Sequence, residues 1–256
     1  MTVMRTDKWL LDLYDQPEKV CENLTDHFDD ASASEIYQYL TFHGMYHPLK
    51  NGDEMIERLI KKRAWEVVYK EEKRLKKKWS GPSVPIYIFP SDITNSRINR
   101  EFNGKSGIAF KDKLFLFISE KTTENELKAL FTHEYNHVCR LVKYKRNEKD
   151  YTLMDTIMLE GLAENAVQED YGEDSLAPYI KYYSDLELER FWQRTIKPNN
   201  SIKKSTAMHN DLLFGRTFYP KMIGYCVGYY LVRKKLKDSN KSVKELMLVP
   251  SEDIIY

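Results

Sequence analysis

The segment His133-Glu134-Tyr135-Asn136-His137 places two imidazoles four residues apart with a carboxylate beside the first. On an α-helix, side chains four apart project from one face on successive turns, so both rings can reach a single metal ion. A glutamate next to the first ring can contact a metal-bound water without displacing it, which is the place of a general base in metal-assisted hydrolysis. The alternative for the same residues is a helix with two partly buried histidines bonded to neighbours.

A catalytic zinc site needs a third protein ligand. The variant with a glycine and a further histidine shortly after the motif is excluded, because Arg140 and Lys143 stand at those positions. The other solution takes a glutamate from a following helix. Residues 152–171 supply one: Leu153, Ile157, Met158, Leu162, Ala166 and Val167 give an amphipathic pattern, and Glu160 and Glu164 lie one turn apart on the same side. Two acids on a partly apolar face cost several kcal/mol if buried without partners. Glu160 as third ligand and Glu164 as support for a ligating imidazole meets that need. The two roles can be exchanged, and two exposed glutamates on a surface helix remain the plain alternative. Gly161 and Ala163 let this helix approach a neighbour closely.

These residues have to be positioned by helices and a small sheet. Thr123 and Glu126 have the spacing of a capping box, and Leu127, Leu130, Phe131, Val138 and Leu141 give the following helix a core-facing side. Helices are expected near 123–145, 152–171, 176–194, 220–237 and 242–248, with a polar loop at 197–204. Before them, Val84–Phe89, Gly107–Phe110 and Leu114–Ile118 read as strands, the last covered on both faces because it is apolar throughout. An amphipathic helix is expected over Asp53–Tyr69 and is continued by the basic run Glu71–Lys78, whose charges read as a solvated face. A few strands followed by helices indicate an α+β fold in a single domain, 1–256, with a helical N-terminal part over 1–80 and a catalytic part over 84–256.

Hydrolysis also needs a donor for the oxyanion. The strongest candidates are His209, read as lying in a loop with Asn210 and Asp211, and Tyr225, inside a glycine-flanked helix; Arg216 and Tyr219 are weaker ones. His43 and His47 are also four apart, but Gly44 and Pro48 argue for a loop with two ordinary histidines.

Forty basic residues against thirty-nine acidic ones leave a formal charge of +1, which gives no global pull toward nucleic acid or an anionic membrane. Three cysteines without paired spacing describe neither a disulfide framework nor a cysteine metal site, and Cys139 reads as core. The longest apolar run, Met222 to Val232, is eleven residues, against roughly 20 for a membrane span. A reduced, cytoplasmic protein is the expectation, with oligomeric state open.

HEYNH followed twenty-three residues later by EGLAE resembles the gluzincin metallopeptidases. More narrowly, Phe131-Thr132 before the motif, EGLAE, and Gly224-Tyr225-Cys226-Val227-Gly228-Tyr229 resemble a bacterial family of predicted zinc-dependent proteases, from about residue 85 to the end. The resemblance implies a zincin-like fold, with a small twisted sheet packed on the HExxH helix and a mostly helical remainder. It also implies Zn2+ held by His133, His137 and Glu160, and peptide hydrolysis through a zinc-bound water with Glu134 as general base. Glu164 departs from the aspartate that gluzincins often carry there. In zincins an extended peptide pairs with a sheet edge, so Gly107, Ile108, Ala109 and Phe110 become the expected substrate-binding strand, unless N-terminal helices cover it. The rival readings are a zinc hydrolase of small amides or esters, and a helical binding or regulatory protein that keeps the fold without hydrolysis.

Overall fold

The computed structural model describes residues 2–255; Met1 and Tyr256, which end the ranges expected above, lie outside the described residues. It comprises two compact units, Met1–Val138 and Cys139–Tyr256. The first holds α1 (Thr6–Leu13), α2 (Pro17–Glu22), α3 (Ala33–Phe42), α4 (Gly52–Lys61), α5 (Ala64–Trp79), β1 (Ile86–Pro90), α6 (Ser96–Phe102), β2 (Ser106–Ala109), β3 (Leu114–Ile118) and most of α7 (Glu124–Lys143). The last turn of α7 belongs to the second unit, with α8 (Leu153–Tyr171), α9 (Asp185–Phe191), α10 (Ala207–Phe214), α11 (Ile223–Ser239) and α12 (Val243–Leu246). The architecture is thus α+β, mostly helical with one mixed sheet.

The sheet has the order β1-β3-β2. β3 is central, parallel to β1 and antiparallel to β2, and all five of its residues are buried, as its unbroken apolar run requires. One face carries Tyr87 and Phe115, stacked at 4.9 Å, and is covered by Phe28, 5.9 Å from Phe115. Tyr39 of α3 reaches Phe110 at 6.3 Å on the same side. The outer edge of β1 begins against the N-terminal segment, where Ile86 donates its N–H to Thr2 O and accepts from Met4 N.

β2 is the other edge, and its outward groups follow from register. Phe110 N donates to Lys113 O at 2.9 Å, next in line after the Ala109–Leu114 pair. Antiparallel pairs alternate between bonded and non-bonded, so Ile108 and Ser106 bond to β3, and Gly107 and Ala109 point their N–H and C=O away from it. Leu114 N fits this alternation, because it donates to Pro85 O on the β1 side. Among the described residues, no backbone hydrogen bond from outside the sheet reaches Gly107 or Ala109.

In the second unit α8 and α11 cross backbone to backbone at two glycines. A Cβ on Gly161 would lie 2.5 Å from the Gly228 carbonyl carbon, and one on Gly228 would lie 3.0 Å from that of Ile157. The buried Arg140 guanidinium donates to the carbonyls of Met247 (2.7 Å) and Val249 (2.6 Å), tying the C-terminal segment to the end of α7.

Several expected elements fall differently. The helix expected through Asp53–Tyr69 breaks at Arg63, whose left-handed φ of 58° starts α5 afresh. The helix expected over 176–194 is a 3-10 turn at Pro178–Lys181 followed by α9, because Ser184 and Glu187 form a new capping box. His209 lies in α10, capped by Thr206, and not in a loop. On α5, Lys73, Arg74, Lys76 and Lys77 are solvated, but Glu71 and Glu72 are buried. Glu71 takes a bidentate contact from Arg74 and accepts from Thr132, and Glu72 accepts from Thr2.

Candidate metal centre

The helix carrying His133 and His137 starts at a capping box. Thr123 N donates to Glu126 Oε2 at 2.9 Å, and Glu126 N donates to Thr123 Oγ1 at 3.3 Å, so two N–H groups at the helix start are satisfied. The buried side is Leu127, Phe131, Val138 and Leu141, with Leu130 half-buried. Tyr135 fixes its rotation: the ring stacks on Phe131 (5.4 Å) and Trp79 (6.2 Å), and the hydroxyl donates to Pro82 O at 2.7 Å. The opposite direction at this level belongs to the motif. His133 and His137 stand edge to face with centroids 4.6 Å apart. His133 is half-buried, while Glu134 and His137 are buried.

Glu160 is half-buried on α8. That helix begins where Thr152 N donates to Asp155 Oδ2 at 2.9 Å. Asp155 is itself sealed in, accepting from Ser251 Oγ (2.9 Å) and Arg146 (3.2 Å). One donor atom from each of His133, His137 and Glu160 lies within 4.8 Å of the others. Two imidazoles and one carboxylate match the ligand chemistry of catalytic zinc sites, where three protein donors leave a position open. The residues present therefore fit the ion.

Around this set the expected residues divide. Glu164, one turn after Glu160, is buried and its Oε1 accepts the Ala177 N–H. Tyr225 is half-buried on α11, its ring 5.3 Å from Tyr179 and 5.6 Å from Phe214. His209 is buried with Nε2 2.9 Å from Thr156 Oγ1, and burial lowers its pKa. The strand residues Ser106–Ala109 are half-buried, and Phe110 follows the strand, in the turn to β3. Cys139 is buried, as read from its helix face. His43 caps the end of α3 with its ring tilted against Tyr39 at 4.7 Å; His47 Nδ1 lies 3.1 Å from the Tyr37 hydroxyl.

Two residues were not singled out from sequence. Tyr179 is buried, and its hydroxyl pKa is raised by burial and then by the nearby Glu164 and Glu160 carboxylates. It sits in a 3-10 turn with no motif, so only its closeness in space connects it to Glu160. Asn136, inside the motif, is fully buried with neither side-chain amide atom hydrogen-bonded. Its position on the helix was legible; its burial was not.

Among the described residues, no helix is long and apolar enough to cross a membrane. No solved structure matches the chain. The chain is 42% identical over 220 residues to an uncharacterized Bacillus subtilis protein, YjaZ, covering 86% of this chain and 84% of that one. Residues 64–256 match the family DUF2268, described as a predicted Zn-dependent protease. With that match over most of the chain and a relative spanning most of its length, this chain belongs to that family of predicted Zn-dependent proteases.

Proposed function

We propose that the chain is a zinc metallopeptidase of zincin type that hydrolyses an extended peptide lying along the outer edge of β2. The observation that carries this reading is the convergence of donor atoms from His133, His137 and Glu160. Bound there, Zn2+ supplies a Lewis acid for the peptide carbonyl and lowers the pKa of water toward neutrality.

The chain's own residues do the remaining work. Glu134 takes a proton from the attacking water at its carboxylate and later delivers it to the leaving amine. Gly107 and Ala109 offer outward N–H and C=O groups that pair with a peptide backbone and align it. Glu164 steadies the ligand set from behind: its bond to Ala177 N holds the segment carrying Tyr179 against α8. Of the two oxyanion candidates Tyr225 is preferred, since it is only half-buried whereas His209 is committed to Thr156 in the core. The catalytic part is residues 84–256, and Phe28 of the N-terminal part shields the Phe115 face of the sheet.

The test is digestion of a mixture of unstructured peptides by zinc-loaded protein, read by mass spectrometry. Cleavage that a chelator stops and added zinc restores is expected. Intact peptides alongside hydrolysis of small amides or esters would replace the peptidase assignment with the narrower hydrolase one.

A further inference from the structure

A Cβ on Gly107 would sit 2.5 Å from Glu134 Cγ, 2.6 Å from Cδ and 2.7 Å from Oε1. No real side chain tolerates such separations, so the Glu134 carboxylate occupies the space that a side chain at 107 would fill. The backbone does not ask for glycine here. Gly107 is absent from the positive-φ glycines, and it pairs in register with Leu116 as ordinary strand. A glycine inside a strand costs conformational entropy relative to alanine. What the glycine provides at this position is room for one carboxylate.

The same residue is one of the two whose peptide groups face off the free edge of β2. Side chain and backbone therefore act at one point: the carboxylate packs on the Cα of Gly107, and the N–H and C=O of Gly107 look outward beside it. Ala109, the other outward residue, is two positions further along, about 6–7 Å away in a strand.

We propose that Gly107 is a positioning residue that sets the cleavage register: it holds the Glu134 carboxylate at the edge of the sheet, so that the substrate peptide bond brought alongside Gly107 is the one Glu134 serves. The inference rests on the peptidase reading above and adds the element that selects the bond. The substrate it implies is a peptide segment able to extend past both Gly107 and Ala109, hence an unfolded stretch and not a folded surface.

The experiment compares Gly107→Ala with wild-type protein on a peptide that the wild-type protein cleaves, with kcat and KM resolved separately. Gly107→Ala displaces the carboxylate by about 1 Å, and kcat falls on the order of 100-fold with KM little changed. Zinc content and Tm stay at wild-type values in the Gly107→Ala single variant, and Lys111→Ala in the exposed turn leaves activity unchanged. A crystal structure of metal-free Gly107→Ala gives a readout apart from activity: the Glu134 side chain turned away from residue 107. An unchanged kcat, a loss confined to KM, or an unmoved Glu134 side chain would overturn the register role while leaving the peptidase reading intact. A wild-type protein that cleaves no peptide would instead remove the reading on which the role rests.

Discussion

Gly161→Ala probes how the helix carrying Glu160 is held. A methyl group there would lie 2.5 Å from the Gly228 carbonyl carbon and 2.9 Å from Val232 Cγ2. Ordinary contact begins near 3.4 Å, so α8 and α11 must move apart by about 1 Å, because a backbone carbonyl cannot rotate aside as a side chain can. Overpacking of this kind costs about 1–3 kcal/mol, and backbone on one side of the clash places it near the upper end. Alanine returns about 1 kcal/mol of helix propensity over glycine. The net is roughly 2 kcal/mol, which corresponds to a Tm lower by about 4–8 °C for a chain of this size. Glu160 is the adjacent residue and moves with the helix. Metal sites tolerate displacements of only about 0.5 Å, so zinc affinity should fall at least 10-fold. Thermal unfolding by circular dichroism and competition with a zinc-binding dye measure the two quantities. A variant with wild-type Tm and wild-type zinc affinity would refute the claim that the glycine crossing sets the height of Glu160.

Ala109→Pro removes an N–H that points off the sheet edge and donates to no strand, so the fold and zinc content should survive while peptide kcat/KM drops about 10-fold; unimpaired cleavage by a folded variant removes Ala109 from the substrate edge. Glu164→Ala should weaken zinc affinity or turnover by roughly 10–100-fold, and unchanged values of both would make it a purely structural acid. His209 is held below its ordinary pKa by burial, so the unfolded chain binds the extra proton more readily. Its contribution to stability is complete above the unfolded pKa of about 6.5 and is lost as pH falls from there through the folded value. Tm should therefore decline on acidification below about pH 6.5, and His209→Gln should flatten that decline; His43, also lowered by burial, keeps its own share. An identical slope in the variant would show that His209 does not carry it.

The parts of this molecule that sequence reveals are those fixed by local periodicity. Thr123 and Glu126 announce the start of α7, and the apolar positions Leu127, Phe131, Val138 and Leu141 say which side goes inward. With that side known, the two imidazoles of the motif share a face by helical geometry alone. Leu114–Ile118 has no polar residue at either parity, and only a central strand can bury both. What stays hidden is set by distant partners or by a single dihedral. The charge pattern of α5 gave no sign that Glu71 would be buried, because its partner Thr132 is 61 residues away. Arg63 breaks a continuous amphipathic pattern by adopting a left-handed φ that side-chain type did not signal. Placing Gly107 on a strand was within reach of sequence; placing it against Glu134 was not, since that contact joins a sheet edge to a helix face.

The central claim is that three protein residues hold the metal and that Glu134 acts beside it without holding it. Metal analysis of dialysed wild-type, Glu160→Ala and Glu134→Gln proteins, each with peptide turnover measured on the same sample, tests this most directly. Expected are about one Zn2+ per chain in wild-type and in Glu134→Gln, loss of tightly bound zinc in Glu160→Ala, and turnover in wild-type alone. Full zinc in Glu160→Ala, or undiminished turnover in Glu134→Gln, would contradict it.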